Sequence, residues 1–280
     1  MFEGRKLALA TMHQKEKVIT PILENELKVK IVVPDNFNSD LFGTFTRDIK
    51  RIGTQQEAAR KKAIAAMDIL GYDLGVASEG SFGEDPSIPF VQSNLELVLL
   101  IDKKNNLEIS GYAHSSKLKM EGLYVNSIDD VMTYAKKWGF PQYGIILRSN
   151  KNGKNRIYKD LYTENDLIIT AKKLFSRPFT KKIFIEMDMR AHRNPTRMEV
   201  IKQATIDLIK NIKSTCPKCA TPGFVITSIE KGLICKQCSL PTDLPKYEIY
   251  TCVKCKYSQK KLVTQYGKLA NPRYCSQCNP

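Results

Sequence analysis

The fold is decided around residues 54–78, which read Thr54-Gln-Gln-Glu57-Ala-Ala-Arg-Lys-Lys-Ala-Ile-Ala-Ala-Met-Asp-Ile-Leu70, then Gly71 and Tyr72, then Asp73-Leu-Gly-Val-Ala-Ser78. Thr54 followed three residues later by Glu57 is the capping-box pattern of a helix start, and Gly71 suits a helix end. The short apolar segment that follows, 73–78, predicts a buried strand. This stretch therefore predicts a helix that leads into a strand.

Strand and helix patterns alternate on both sides of this stretch, along residues 1–213. Further strands are predicted over 5–11, 29–33, 95–102, 107–113, 143–148 and 182–188. Further helices are predicted over 14–27, 127–138, 164–176 and 195–212, and Pro21 is expected to kink the first of them or to start a new helix. Such alternation predicts an α/β fold, with a mixed sheet flanked by helices. Ligands of such sheets gather at the carboxyl ends of strands.

Composition sets limits on the class of protein. A chain of 280 residues, 42% apolar and 26% charged, can bury a sizeable core, so wholesale disorder is excluded. No stretch approaches the roughly 18 consecutive apolar residues that span a bilayer. The first residues hold no apolar core of signal-peptide length, so we expect no membrane partner and a cytoplasmic protein.

The charge is strongly positive, with 44 Lys and Arg against 29 Asp and Glu, a formal +15. The tail over 214–280 holds ten Lys or Arg and three Asp or Glu, so it is more basic per residue than the rest. This favours an anionic partner, either a nucleotide or a nucleic acid. A solvated lysine-rich surface is the plainer alternative.

All eight cysteines lie in the tail and form four Cys-x-x-Cys pairs. The gaps of 15 residues between the first two pairs and of 19 between the last two fit the spacing of four-cysteine zinc sites. Four thiolates close the zinc tetrahedron and leave no position for water, so two structural zinc ions are predicted, in small tandem zinc-ribbon-like modules over 214–280. The ligands are Cys216, Cys219, Cys235, Cys238, Cys252, Cys255, Cys275 and Cys278.

Two pairings of the cysteine pairs are open. Sequential pairing gives two separate ribbons, whereas pairing of the first with the third and of the second with the fourth gives a cross-brace. A hairpin pattern over 223–234 and a short linker pattern over 240–245 favour the sequential form.

Acidic and small polar residues follow the predicted strands. Glu57 and Glu79 are the candidate catalytic carboxylates, because Mg²⁺ is held in proteins by one or two carboxylates and keeps several waters. A capping-box role is the alternative for Glu57. The segment from Gly80 and Ser81 to Gly83 is predicted to be a tight turn, with a phosphate cradle as the alternative.

The densest polar segment runs from Glu186 to Arg197. Strand alternation places Glu186, Asp188 and Arg190 on one side, where they meet a ligand or pair with each other. Asn194 is predicted to cap the helix that starts at Pro195, and cationic side chains beside that start suit an anionic ligand. Asp188 is a candidate catalytic residue, and the candidate binding residues are Arg190, His192, Arg193 and Arg197.

Four segments carry a family resemblance: Ala10-Thr11-Met12-His13, Glu57-x-Ala59-x-x-Lys62-Ala63, Glu79-Gly80-Ser81 and His192-Arg193. In these the chain resembles the inosine/xanthosine triphosphate pyrophosphatase superfamily, over residues 5–83 and more weakly over 186–213. As a whole it also resembles an uncharacterised bacterial family, a domain of unknown function that joins such an α/β unit to a cysteine-rich tail.

The resemblance implies Mg²⁺-dependent hydrolysis of a nucleotide or a related phosphoanhydride, including unusual nucleoside triphosphates. Glu57 and Glu79 are then expected to hold the metal, and His13 or Asp188 to orient water or base. Thr11, Gly80 and Ser81 join the binding residues, with Lys62 and Arg193 on phosphate. The alternative is a non-enzymatic protein whose basic zinc tail binds nucleic acid or protein, with salt-dependent binding that requires residues 214–280.

Overall fold

The computed structural model describes residues 1–35, 37, 53–85, 90–117, 120–150 and 156–280. The chain divides into two compact units, Met1–Leu208 and Ile209–Pro280. The sequence-based boundary at residue 213 coincides with the end of the last long helix, whereas the units divide one turn earlier. Within the described ranges, no helix has the length and apolarity that crossing a membrane requires.

The first unit contains a five-stranded sheet in the order β2-β1-β3-β4-β5. The first three strands in that order are parallel, and β4 runs antiparallel to both of its neighbours, β3 and β5. This is the mixed sheet that the sequence predicted. The strands are β1 (Lys6–Ala10), β2 (Lys30–Val32), β3 (Leu74–Glu84), β4 (Gln92–Asp102) and β5 (Leu107–Ser115).

Helices cover both faces of this sheet, as predicted. The helices α1 (Glu16–Leu27) and α2 (Gln55–Leu70) connect the parallel strands. The alanine-rich side of α2 packs against β1, β3 and the β4 face that carries Leu97 and Leu99. The opposite face of β4 carries Val98, which pairs with Gly111 of β5, and Gly111 lies against α5 (Pro195–Lys213).

A second sheet of the first unit has the order β6-β9-β7-β8 and is antiparallel throughout. Its strands are β6 (Gly122–Val125), β7 (Ile145–Arg148), β8 (Ile157–Tyr158) and β9 (Ile183–Met187). The helices α3 (Ile128–Lys137) and α4 (Glu164–Phe175) bury their apolar sides in one core with these strands. Both helices start with the capping box that their sequences encode.

The second unit contains a three-stranded antiparallel sheet of β10 (Ile226–Lys231), β11 (Pro245–Thr251) and β12 (Ser258–Leu262). The predicted hairpin over 223–234 is wrong, because β10 pairs with β11 and not within that segment. The predicted linker over 240–245 is held by a bridge between Ile234 and Pro241 and ends where β11 starts.

Two further local predictions are corrected. The predicted turn at Gly80 is wrong, because β3 continues to Glu84 in register with β4. A Cβ on Gly80 would lie 2.4 Å from Oε1 of Glu96, so the glycine makes room for a neighbouring side chain and not for a turn. The helix α1 runs through Pro21 as one helix, without a new start.

The close approach of α5 to β5 generates a first prediction. A Cβ at Gly111 would lie 2.1 Å from the backbone nitrogen of Leu208 and 2.4 Å from the carbonyl oxygen of Ala204. Because both are backbone atoms, Gly111→Ala should reduce the free energy of unfolding by about 1–3 kcal/mol or more. Urea unfolding followed by circular dichroism measures this.

The matched control is Gly83→Ala, since Gly83 is also a strand glycine and a Cβ there meets no atom within 4 Å. Equal stability changes in the two variants would show that the contact with α5 does not constrain residue 111.

Candidate active site and metal centres

Lys15 lies just beyond the carboxyl end of β1 and is only 7% exposed. Its Nζ donates a hydrogen bond to Oγ of Ser78 at 3.1 Å. Ser78 is the first residue of β3 past the end of β1, because the pairing of the two strands ends at Ala10 and Ala77. Burial, and next the nearby charge of Arg197, lowers the pKa of Lys15 to about 8.

Glu79 follows on the other face of β3 and is 4% exposed. Nζ of Lys62, on α2, lies 2.5 Å from its Oε2. Nε2 of Gln55, the first residue of α2, donates to the Glu79 carbonyl oxygen at 2.6 Å. The start of α2 is thereby attached to the part of β3 that carries the carboxylate.

Glu96 and Arg197 form a second ion pair on the Ser78 face of the sheet, and both side chains are 0% exposed. Nε of Arg197 donates to Oε1 of Glu96 at 2.8 Å, and Nδ2 of Asn94 donates to the same oxygen at 2.9 Å. Nη1 of Arg197 also donates to the Met189 carbonyl oxygen at 2.6 Å. Arg197 therefore connects β4 to the segment that follows β9.

Three cations and two carboxylates thus gather where β1 ends and β3 continues; we call Lys15, Lys62, Glu79, Glu96 and Arg197 the strand-end cluster. All four other members influence the pKa of Lys15. Buried charges are costly unless they are paired, and this cluster carries one cation more than it carries carboxylates. The arrangement suits an anionic ligand at the carboxyl edge of the sheet, where α/β folds bind ligands.

His13 and His192 stack on each other, with ring centroids 5.0 Å apart and planes inclined by 16°. His13 and Gln14 both have left-handed backbone conformations, with φ of 64° and 60°. Such residues cost energy and occur where the surroundings hold them in place. Burial, and next the charge of His13, lowers the pKa of His192 to about 4.

Asp188 and Arg190 form an ion pair with each other. Nε of Arg190 lies 3.1 Å from both carboxylate oxygens of Asp188, and its Nη2 reaches Oδ1 of Asp160 at 2.8 Å. Glu186, predicted on the same side, pairs with Arg148. Arg193 donates to the Leu161 carbonyl oxygen at 2.5 Å. These contacts make Asp188, Arg190 and Arg193 part of the internal support of the segment before α5.

The remaining candidates have local roles. Glu57 is exposed and closes the capping box, with its Oε2 accepting from the Thr54 backbone nitrogen at 2.8 Å, a contact that lowers its pKa. Thr11 is buried, and its hydroxyl donates to the Met12 carbonyl oxygen at 3.2 Å. Oγ of Ser81 lies 3.3 Å from Oε1 of Gln55. Asn194 caps α5 as predicted, accepting from the Arg197 backbone nitrogen at 3.0 Å.

The sequence-based candidate residues omitted Lys15, Asn94 and Glu96. A signal for the last two was present, because Asn94 and Glu96 put polar side chains on a strand face that continues with Val98 and Leu100. Lys15 gave no such signal, since a lysine at a helix start is ordinarily solvated. The burial of Lys15 is visible only in the structure, where the chain turns after β1 and brings this side chain against Ser78.

The eight cysteines form two groups of four, each with all its ligand atoms within 4.8 Å of one another. Sγ–Sγ distances are 3.7 and 3.6 Å in the first group and 3.9 and 3.5 Å in the second. Four sulfurs at 2.3 Å from a tetrahedral zinc would be about 3.8 Å apart. Each group can hold a metal ion, consistent with structural zinc. The groups are Cys216, Cys219, Cys252, Cys255 and Cys235, Cys238, Cys275, Cys278.

The pairing is interleaved, so the expectation of sequential ribbons is wrong. The first Cys-x-x-Cys pair joins the third, and the second joins the fourth. The reason is the strand order: β10 follows the first pair and β11 leads into the third, so their pairing brings those two knuckles together. The parallel bridge between Cys235 and Ala270 brings the second and fourth pairs together.

The sequence model of a family described as "Domain of unknown function (DUF6671)" matches residues 62–280, well over half of the chain. The chain belongs to this family. The match includes Lys62, Glu79, Glu96, Arg197 and all eight cysteines, but begins after β1 and Lys15. No curated protein matches the chain. The resemblance to the triphosphate pyrophosphatases therefore stays a prediction.

The interleaved pairing predicts how metal content responds to paired substitutions. Cys216 and Cys252 serve one group, whereas Cys235 serves the other. Cys216→Ser with Cys252→Ser should therefore cost one bound metal ion per chain, and Cys216→Ser with Cys235→Ser should cost both. Elemental analysis of the purified full chain measures the ratio.

Sequential pairing gives the reverse result for these two double variants, so each is the control for the other. A loss of both ions in the first double variant, with a loss of one in the second, would contradict the interleaved arrangement.

Proposed function

We propose that the first unit hydrolyses a nucleotide or a related phosphoanhydride with the help of Mg²⁺. The observation that carries this proposal is the strand-end cluster, in which the buried Lys15 directly precedes α1 and the buried Lys62–Glu79 pair joins α2 to β3. Helix starts and buried cations favour bound phosphate. A carboxylate at the same edge supplies the acid or base that hydrolysis needs.

Three members of the cluster and Ser78 have stated roles in this proposal. Lys15 and Lys62 bind phosphate oxygens, and Glu79 orients the attacking water. Ser78 holds the ammonium group of Lys15 in position through the 3.1 Å hydrogen bond. Lys15 replaces Arg193 as a phosphate ligand, since Arg193 is bound to the Leu161 carbonyl oxygen.

Mg²⁺ fits this donor set. In proteins it is held by one or two carboxylates together with substrate phosphates and several waters, so Glu79 alone suffices as the protein ligand. When bound, Mg²⁺ neutralises charge on the phosphate oxygens. Glu57 is engaged in the capping box and has no part in this proposal.

For the second unit we propose zinc as the metal of both cysteine groups, in a structural role. Four thiolates fill the coordination sphere and exclude a catalytic water. Thr221 supports the thiolate of Cys219, lowering its pKa to about 6 through hydrogen bonds from its hydroxyl and backbone nitrogen. Four-thiolate sites in place of disulfides also suit a reducing compartment, which supports the proposal of a cytoplasmic protein.

Turnover should depend on Glu79. With Mg²⁺ and a panel of ribo- and deoxynucleoside triphosphates that includes inosine and xanthosine forms, Glu79→Gln should lower phosphate or pyrophosphate release at least about a hundredfold. The amide keeps the size of the side chain but cannot accept a proton. The matched control is Glu84→Gln on the same strand, where the side chain is exposed.

If Glu79→Gln released phosphate or pyrophosphate as fast as the Glu84→Gln control, Glu79 would have no role in the hydrolysis. No release from any triphosphate by the unaltered protein would refute the hydrolase. Metal content and circular dichroism, measured on the same preparations, separate loss of chemistry from loss of folding.

The pH dependence of anion binding tests Lys15. Because burial lowers its pKa to about 8, its ammonium form is present below pH 8 and is lost as the pH rises above it. Affinity for inorganic tripolyphosphate in Mg²⁺-free buffer, measured by calorimetry, should therefore fall between pH 8 and pH 10.

Lys15→Arg is the control, because a guanidinium stays protonated throughout and tripolyphosphate titrates identically with both proteins. The ratio of the tripolyphosphate affinities of the unaltered protein and of Lys15→Arg should therefore change with pH only because Lys15 loses its proton. A constant ratio from pH 7 to pH 10 would show that Lys15 does not contact the anion.

The second unit supports nucleic-acid binding as a second candidate function. Lysines lie over tyrosine rings along β11 and β12, with Nζ of Lys261 4.3 Å from the Tyr250 centroid and Nζ of Lys246 5.4 Å from that of Tyr247. Cations interleaved with aromatic rings bind single strands through phosphate contact and base stacking. This function is compatible with hydrolysis in the first unit.

A further inference from the structure

Two buried acceptor atoms on β4 have no hydrogen-bond partner within the described part of the chain. They are Oδ1 of Asn94 and Oε2 of Glu96, and both side chains are 0% exposed. A buried polar atom without a partner costs stability, so such atoms are rare and call for an explanation. Both atoms are acceptors, and a group that satisfies them must donate.

The two acceptors lie beside an aromatic ring. In the register of β3 and β4, Phe82 is opposite Asn94 and Gly80 is opposite Glu96, so all four share one face of the sheet. The Phe82 ring is half-buried, and the guanidinium carbon of Arg197 is 5.4 Å from its centroid. Gly80 leaves the space that Glu96 occupies, since a Cβ there would lie 2.9 Å from the Glu96 carboxylate carbon.

The surrounding charge decides which donor fits. The charge of Glu96 is already balanced by Arg197 at 2.8 Å, and Lys15 lies close enough for Glu96 to influence its pKa. A metal ion or an ammonium group would add a third cation beside two others. A neutral N–H group satisfies both acceptors without that repulsion, and a flat ring that carries it can stack on Phe82.

We propose that Asn94, Glu96 and Phe82 form a nucleobase subsite that recognises guanine. Among the common nucleobases, guanine presents two neighbouring N–H donors on one edge, its ring N1–H and its 2-amino group. Oε2 of Glu96 and Oδ1 of Asn94 accept from these two groups, while Phe82 stacks on the ring.

The subsite deepens the proposed function and rests on it. Ser78, Gly80 and Phe82 alternate along one face of β3, so the strand carries the lysine-bound phosphate region and the base region in line. Four residues of strand extend for about 13 Å. A nucleoside triphosphate laid along β3 from Ser78 to Phe82 therefore reaches Lys15 with its phosphates while its base lies against Phe82, beside Glu96 and Asn94.

Binding of three ligands to the full-length, metal-loaded protein tests the subsite without any substitution. The ligands are GTP, purine riboside triphosphate, which carries no N–H donor on its base, and inorganic tripolyphosphate. Calorimetry in Mg²⁺-free buffer without a chelator prevents turnover and leaves the cysteine groups loaded. GTP should bind at least about tenfold more tightly than purine riboside triphosphate, because the latter leaves both acceptors unsatisfied.

Glu96→Gln tests the same contact from the protein side. Its amide can still accept from Arg197 but places a donor where Oε2 accepted, so the preference for GTP over purine riboside triphosphate should disappear. Tripolyphosphate affinity should not fall, because the loss of the Glu96 charge leaves the strand-end cluster more positive. The control is Glu108→Gln on β5, where the exposed carboxylate pairs only with exposed Arg60. If Glu96→Gln fails to fold, the comparison of ligands on the unaltered protein decides alone.

Equal affinities for GTP and purine riboside triphosphate, both at least as tight as that for tripolyphosphate, would overturn the guanine subsite and leave the phosphate site standing. Absence of binding by all three ligands would overturn the proposed function and the subsite together. A GTP preference that Glu96→Gln retains would also overturn the subsite, because Glu96 would then not be the acceptor.

Discussion

The buried ion pair between Glu96 and Arg197 is the contact on which the first unit depends. Arg197 is fully enclosed, and it joins three elements: β4 through Glu96, the segment after β9 through the Met189 carbonyl oxygen, and α5, on which it lies. Removing one partner of such a pair typically costs about 3–5 kcal/mol, because the other charge is left buried without compensation. The pair therefore fixes how β4, α5 and the segment after β9 are brought together.

This constraint explains several features around it. Gly80 leaves room for the pair beside β3, and Asn94 donates a second hydrogen bond to Oε1 of the carboxylate. The same convergence places His13 from the loop after β1 against His192 from the segment before α5. The fold holds these charges in fixed positions because they pack against one another. A charged ligand then needs little rearrangement of the protein, which lowers the free-energy cost of binding.

Much of the first unit was predictable from local pattern. Capping boxes, strand alternation and Gly71 located the helices and most strands, because these signals act within a few residues. The turn at Gly80 was mispredicted because glycine between polar residues reads locally as a turn, while its cause is a side chain sixteen positions away. The short strands β6 and β8 were not predicted, since four and two residues carry too little periodicity.

Part of the candidate site was also predictable from the sequence. Glu79 could be proposed from the strand pattern and Lys62 from the family resemblance, and the structure places them in contact. The burial of Lys15 and the exposure of Glu57 depend on tertiary packing that no local pattern encodes. Cysteine spacing likewise identified the metal ligands but not their partners, because both pairings satisfy the same short-range spacing and the choice is made by strand order.

The interleaved cysteine groups have a consequence for how the second unit forms during synthesis. With sequential ribbons, a first metal site would be complete once Cys238 had been added. Here the first group waits for Cys255 and the second for Cys278, so the early knuckles stay open while about 40 further residues are made, a matter of seconds at usual elongation rates. Metal loading then becomes a late event that closes β10 onto β11, and until it occurs the thiols are exposed to oxidation and to competing metals.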